Sequence, residues 1–172
     1  MAAENPRRRA AALLGSFVFL VVAPGSVAGL VPFWLTRWRP QAPLWGLPPV
    51  RLAGALLLAI GLVGLLDSFR RFALEGLGTP APIAPPRQLV VGGLYRFVRN
   101  PMYTGVVSAI LGQALLLGSA ALLAYAAAAW LTFHLFVLAY EEPTLRAAFG
   151  ADYDRFCADV PRWIPRLRPR RG

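Results

Sequence analysis

Two short stretches hold most of the side chains with which this chain could do chemistry. The first is Val90-Val91-Gly92-Gly93-Leu94-Tyr95-Arg96-Phe97-Val98-Arg99-Asn100-Pro101-Met102-Tyr103, where glycines, aromatic rings and guanidinium groups crowd together. The second is Glu141-Glu142, a carboxylate pair that Pro143 follows at once. Asn100-Pro101 has the form of a helix start, with Asn100 as the cap and Pro101 at the first helical position. The positive end of that helix dipole is a seat for a carboxylate, and Arg96 and Arg99 could hold the same group bidentately. Gly92 and Gly93 let backbone amides approach a ligand closely. Tyr95 and Tyr103 offer ring faces to a cation. Glu141 and Glu142 can take an ammonium group or ribose hydroxyls.

A ligand with a carboxylate, an amine, a ribose and a sulfonium would use all of these groups. S-adenosylmethionine carries all four. Each residue also has a plainer role: Asn100 as a cap alone, Arg96 and Arg99 as membrane-surface anchors, Tyr95 and Tyr103 as interfacial aromatics. His134 lies seven residues before Glu141, hence on nearly the same helix face, as does Trp130. An ionisable group at that depth turns inward, towards a structural hydrogen bond or towards the site. The residues alone thus define a charged-ligand site at a membrane surface. One cysteine, Cys157, and one histidine leave no disulfide framework and no cysteine zinc site, and no metal is expected.

The elements that position these groups are set by hydropathy. At 57% hydrophobic and 15% charged, a chain of 172 residues is too apolar for a soluble domain. All 18 basic residues are arginines, and the net charge is +10. They lie in the short gaps between apolar runs, so the lipid bilayer, and not a nucleic acid, is the acidic partner expected. The expected fold is an all-α integral membrane protein, a single domain over residues 1–172. Its spans fall at about 10–35, 50–70, 101–117 and 120–140, with site-bearing segments at 88–103 and 141–165.

Local signals mark the joints. The first run has a basic start and Ser26-Val27-Ala28, the form of a cleaved leader, but it continues through Phe33-Trp34 like the interfacial belt of a retained span. Residues 36–49, with Arg37, Trp38, Arg39, Trp45 and prolines, form an interfacial loop. Gly54, Gly61 and Gly64 give the second span a small-residue face for close helix contact. Asp67 is spaced to pair with Arg70 and Arg71 on a helix that leaves the bilayer. The Pro/Gly-rich connection at 75–86 cannot be a regular helix, and Gln88 to Val91 is a short extended piece. Gly118-Ser119 permits a tight turn, so the third and fourth spans form a hairpin whose far ends, bearing the two knots, are neighbours. Pro143 is expected to end the fourth span and to open a new helix that stops at Gly150. A further amphipathic piece, Ala151 to Val160, turns Tyr153, Phe156, Cys157 and Val160 to one side. With four spans, fifteen of the 18 arginines fall on the side of both knots and both termini, which is therefore cytoplasmic. Arginine- and alanine-rich usage points to a bacterial inner membrane.

The segment from about Gln88 to Pro165 resembles the isoprenylcysteine carboxyl methyltransferase and phospholipid N-methyltransferase group of small membrane enzymes. The matching pieces are Gly93-Leu94-Tyr95-Arg96 and Arg99-Asn100-Pro101-Met102-Tyr103-Thr104-Gly105. They continue with His134, Glu141-Glu142, Leu145, Phe149-Gly150, Tyr153 and Val160-Pro161-Arg162. The resemblance implies S-adenosylmethionine as cofactor, in a pocket built from Gly93, Leu94, Tyr95, Arg99, Asn100, Pro101, Tyr103, His134, Glu141 and Glu142. Family members often have histidine at the position of Asn100, which argues against a proton-transfer role there. Phe156 stands where a tyrosine is frequent.

The implied reaction is in-line methyl transfer to a lipophilic carboxylate, thiol or amine, in which alignment and exclusion of water matter most. Arg162 would place an anionic acceptor, and Glu141 would act as base towards an amine. The cofactor would enter from the arginine-rich side, beneath a lid made of 76–87 and the tail after Pro143. An apolar acceptor would arrive from the bilayer beside the glycine-bearing face of the second span. The alternative is a membrane sterol- or steroid-type reductase that binds NADPH, which resembles the same helical arrangement.

Overall fold

The computed structural model describes residues 6–75 and 88–170, with backbone alone for 6–14, 16 and 72–75. The described residues form helices and no strand: α1 (Pro6–Gly25), α2 (Val31–Thr36), α3 (Pro49–Glu75), α4 (Pro101–Leu117), α5 (Ala120–Phe136), α6 (Glu142–Phe149) and α7 (Ala151–Asp159). The protein is thus all-helical, as the hydropathy pattern requires. Three segments are long and apolar enough to cross a membrane, Phe17–Thr36, Pro49–Arg71 and Ala120–Phe149. The fourth expected span, α4, has 17 residues. At 1.5 Å per residue it is about 25 Å long, shorter than the ~30 Å hydrocarbon core. It lies at the centre of the bundle, with Val106, Ala109, Ile110 and Ala114 fully enclosed.

Glycine packing explains that centrality. A methyl group added at Gly61 of α3 would lie 2.8 Å from the Ala109 nitrogen and the Gly105 oxygen of α4. At Gly112 of α4 it would lie 2.5 Å from the Leu58 nitrogen of α3. Two backbones therefore touch along a seam that only glycine permits. Gly64 stands apart, in ordinary contact with Leu94 at 3.5 Å. Because α4 fills the glycine-bearing face of α3, that face offers no passage for an acceptor. The bilayer route expected there is closed.

The hairpin turn is as expected: Gly118 is left-handed (φ 73°), and the Ser119 side chain accepts from the Leu122 amide. The loop at 37–48 folds over this end, with Gln41 N–H donating to Leu117 O at 2.8 Å. Trp34, Trp38 and Trp45 remain exposed, a belt at headgroup depth.

Two π turns, Ser26–Leu30 and Val137–Glu141, each end two residues before a proline, Pro32 and Pro143. Proline has no amide hydrogen for the carbonyl four residues back, and a wider turn makes room for its ring. In the first span the Val31 amide reaches back to Ser26 O. The bypassed carbonyls are taken by side chains, Gln113 Nε2 donating to Ala28 O at 2.7 Å and Tyr125 OH to Val27 O at 2.9 Å. In the last span the π turn carries the helix past Pro143. The helix expected to stop at Glu141-Glu142 therefore continues to Phe149, and the carboxylate pair sits within it.

Beyond the bundle, Val90, Tyr95, Tyr153, Phe156 and Val160 form a small second core joining the 88–99 segment to α7. The side chains on α7 face as the amphipathic pattern predicts. The 76–87 half of the expected lid lies outside the described residues.

Candidate functional site

The α4–α5 hairpin returns the end of α5 to the start of α4, and the two polar knots meet there. Glu142 is the hub. Its carboxylate takes two bonds from Arg162, Nε to Oε1 at 2.6 Å and Nη2 to Oε2 at 3.0 Å. Arg99 Nη1 adds a third at 3.1 Å and also contacts Cys157 Sγ at 2.8 Å. One carboxylate lies between two guanidiniums in a largely closed place, for the Glu142 side chain is 9% exposed and that of Arg99 12%. Arg99 Nε is buried without a hydrogen-bond partner. The Glu142 bonds hold the Arg162 guanidinium more firmly protonated than usual.

Beside this knot Tyr103 OH donates to Glu141 Oε2 at 2.9 Å. The Tyr103 ring packs on Phe133, their centroids 4.9 Å apart. Among the described residues Glu141 Oε1 receives no bond, so the carboxylate is oriented through one oxygen and open at the other. Asn100 stands at the cap position of α4 with Pro101 first in the helix, as the sequence predicts. Its side chain does not cap, however. Asn100 Nδ2 instead donates to Arg162 O at 3.2 Å, and the Thr104 hydroxyl and amide take Asn100 O. The cap amide is spent on holding the tail.

That tail, residues 161–170, lies along the 96–99 strip. Arg99 N–H donates to Pro161 O, Arg166 N–H to Phe97 O and Arg170 N–H to Arg96 O, at 2.9, 3.0 and 3.0 Å. Arg96 is drawn away from the knot, since its Nε and Nη2 both bond Arg170 O. So the C-terminal part of the expected lid lies against the 96–99 strip beside the knot.

The remaining expected site residues are placed around this centre. Gly93 adopts φ +52° where a Cβ would lie 1.8 Å from Arg71 Nε, so it makes room for an α3 guanidinium. Leu94 packs towards α3, and Tyr95 is buried in the second core with its ring covered. None of the three touches the Glu142 knot through a described contact. His134 Nδ1 accepts from Trp163 Nε1 at 3.0 Å, and its ring stacks on Trp130 at 5.1 Å. Arg162 does not project freely to place an anionic acceptor, for two of its nitrogens are on Glu142. Trp163 and Cys157 also reach the site, through His134 and Arg99, though the sequence pattern does not point to them. The signal for Trp163 was its position next to Arg162. Cys157 gave none, since its approach to Arg99 depends on how α7 folds back. Among the described residues no cluster of three or more metal-ligating side chains occurs.

A family model described as phospholipid methyltransferase matches residues 50–152, more than half of the chain, and takes in both knots. The chain belongs to the phospholipid methyltransferase family. Methanethiol S-methyltransferase 2 of Bradyrhizobium diazoefficiens is 30% identical to this chain over 157 residues, 83% of this chain and 57% of the relative. The chain thus spans little more than half the length of that curated relative. No solved structure matches significantly. Arg162 and Trp163 lie beyond the part of the chain that the family model covers.

Proposed function

We propose that this membrane methyltransferase uses S-adenosylmethionine and transfers its methyl group to a small lipophilic acceptor, a thiol in the first instance. The observation that carries the reading is the Arg99–Glu142–Arg162 knot at the positive end of α4, beside the half-open Glu141 carboxylate. A helix N-terminus, two guanidiniums and the unpartnered Arg99 Nε together favour an anionic group, such as the carboxylate of the cofactor. Glu141 Oε1 and Tyr103 supply an acceptor and a ring face for the cationic part. The residues present therefore fit this cofactor. When bound, S-adenosylmethionine supplies an electrophilic methyl group on a sulfonium.

The chain's own residues do the rest. Tyr103 holds Glu141 in place, and Glu141 takes the proton that a thiol or amine acceptor loses as its new bond to carbon forms. The tail over the 96–99 strip excludes water. Arg162 is a positioning residue that keeps Glu142 and Arg99 aligned. The relative named for methanethiol supports a thiol acceptor, while the family description leaves an amine headgroup as the second choice. The family match favours methyl transfer over the NADPH-dependent reductase. Purified protein in nanodiscs, given S-adenosylmethionine with a labelled methyl group, should transfer label to small alkane thiols. Transfer to phosphatidylethanolamine alone would assign the amine acceptor, and no transfer to either would reject the reading.

A further inference from the structure

The tail that lies against the 96–99 strip has a second face. Trp163 bonds His134, and His134 belongs to the apolar segment Ala120–Phe149. His134 lies eight residues before Glu142, about 12 Å deeper along the helix at 1.5 Å per residue. The neighbouring side chains Leu131, Leu135 and Leu138 of the same segment are exposed, as a lipid-facing surface is. Trp163 therefore brings the tail down the outside of the last span, into the depth of the bilayer. The next residue, Ile164, is 80% exposed, and Leu167 is 99% exposed. Pro161, Pro165 and Pro169 keep this stretch from coiling into a helix that could bury them. Arg166 and Arg170 are tied to Asp159. Arg168 between them is exposed and makes no ion pair among the described residues.

We propose that residues 163–168 form an interfacial anchor that docks the tail on anionic lipid of the leaflet where the site opens. Ile164 and Leu167 enter the acyl region, and Arg168 meets headgroup phosphate. Depth comes from the Trp163–His134 bond, and headgroup charge from the exposed Arg168 guanidinium, which has no ion pair among the described residues. The partner is thus a lipid surface and not a second protein. Because Arg162 immediately precedes the anchor and grips Glu142, the membrane itself then helps to hold the site closed. The inference rests on the membrane setting and is independent of which cofactor binds.

Photocrosslinking tests it in the full chain. Benzoylphenylalanine replaces Leu167, or Ile164, in protein held in nanodiscs of phosphatidylethanolamine and phosphatidylglycerol, and adducts are read by mass spectrometry. Phospholipid adducts are expected at both positions and none at Asp152, which is exposed on α7. Adding Arg168→Glu should lower the yield at 167 severalfold in these discs and leave it unchanged in phosphatidylcholine discs. A bare chain at 167, as at 152, would overturn the anchor, and so would a crosslink to a second copy. Equal yields with and without Arg168→Glu in the anionic discs would overturn the headgroup assignment. Because no cofactor is present, failure here leaves the methyl-transfer assay above to stand or fall alone.

Discussion

Glu142 carries three charge-assisted hydrogen bonds in a place almost closed to water. Removing one member of a buried ion cluster leaves the others uncompensated, which costs more than the lost attraction. Glu142→Gln should therefore lower the melting temperature. It should also weaken S-adenosylmethionine binding about ten- to a hundredfold, the equivalent of roughly 1.5–3 kcal/mol. Calorimetry on detergent-purified protein that still elutes as one species measures the second effect. Tyr103→Phe is a milder change. It keeps the ring on Phe133 and removes only the bond that orients Glu141. A drop in kcat of about tenfold, with cofactor Kd within about twofold, is expected for one lost hydrogen bond. A Kd that rises as much as kcat falls would show that Tyr103 serves binding and not proton transfer. The meeting of Arg99 and Tyr103 with Glu141-Glu142 was legible in the sequence, because a tight turn at Gly118-Ser119 forces it. The fates of Gly93 and Tyr95 were not. They depend on Arg71 of α3 and on the docking of α7 against the 88–99 segment, long-range contacts that local spacing does not encode.

Among the elements, α4 bears the site and depends on α3 for its place. Gly61→Leu would drive a branched side chain into backbone 2.8 Å away, with no flexible neighbour to yield. Overpacking usually costs about 1–3 kcal/mol, and contact with a helix backbone puts this case at the upper end. Thermal unfolding in detergent should show a clear loss of stability, with acceptor KM and cofactor Kd lost together as α4 shifts. A folded, stable variant with only the acceptor KM raised would restore the lateral route along α3 that the glycine seam excludes. The glycines of α3 announced a close contact, but only the matching Gly105 and Gly112 identify α4 as the partner. Pro143 misled for a physical reason. A π turn widens the helix just before it, and the chain passes the proline with helical backbone. The same device precedes Pro32, where Gln113 and Tyr125 fill the freed carbonyls.

At the scale of the whole molecule, the arginine distribution sets the orientation we propose, with both knots and both chain ends on the cytoplasmic side. Single cysteines introduced near residue 170 should react with a membrane-impermeant maleimide only after cells are opened, and cysteines in the loop at 41–47 should react in intact cells. The reverse pattern would invert the protein and place the site outside. Four apolar helices and their hairpin were legible from hydropathy, and so was a tail lying near the knots, but not the contacts that fix it there. Its hold comes from backbone bonds to 96–99 and from Arg162, and neither leaves a periodic trace in sequence. Under the proposed function the two knots together hold S-adenosylmethionine at the start of α4. Ultraviolet crosslinking of the full chain with labelled S-adenosylmethionine, followed by peptide mapping, tests it most directly. Label should fall on peptides spanning 93–103 and 141–142, resist excess NADPH and vanish with excess S-adenosylhomocysteine. Label elsewhere in the chain, or label displaced by NADPH, would contradict it.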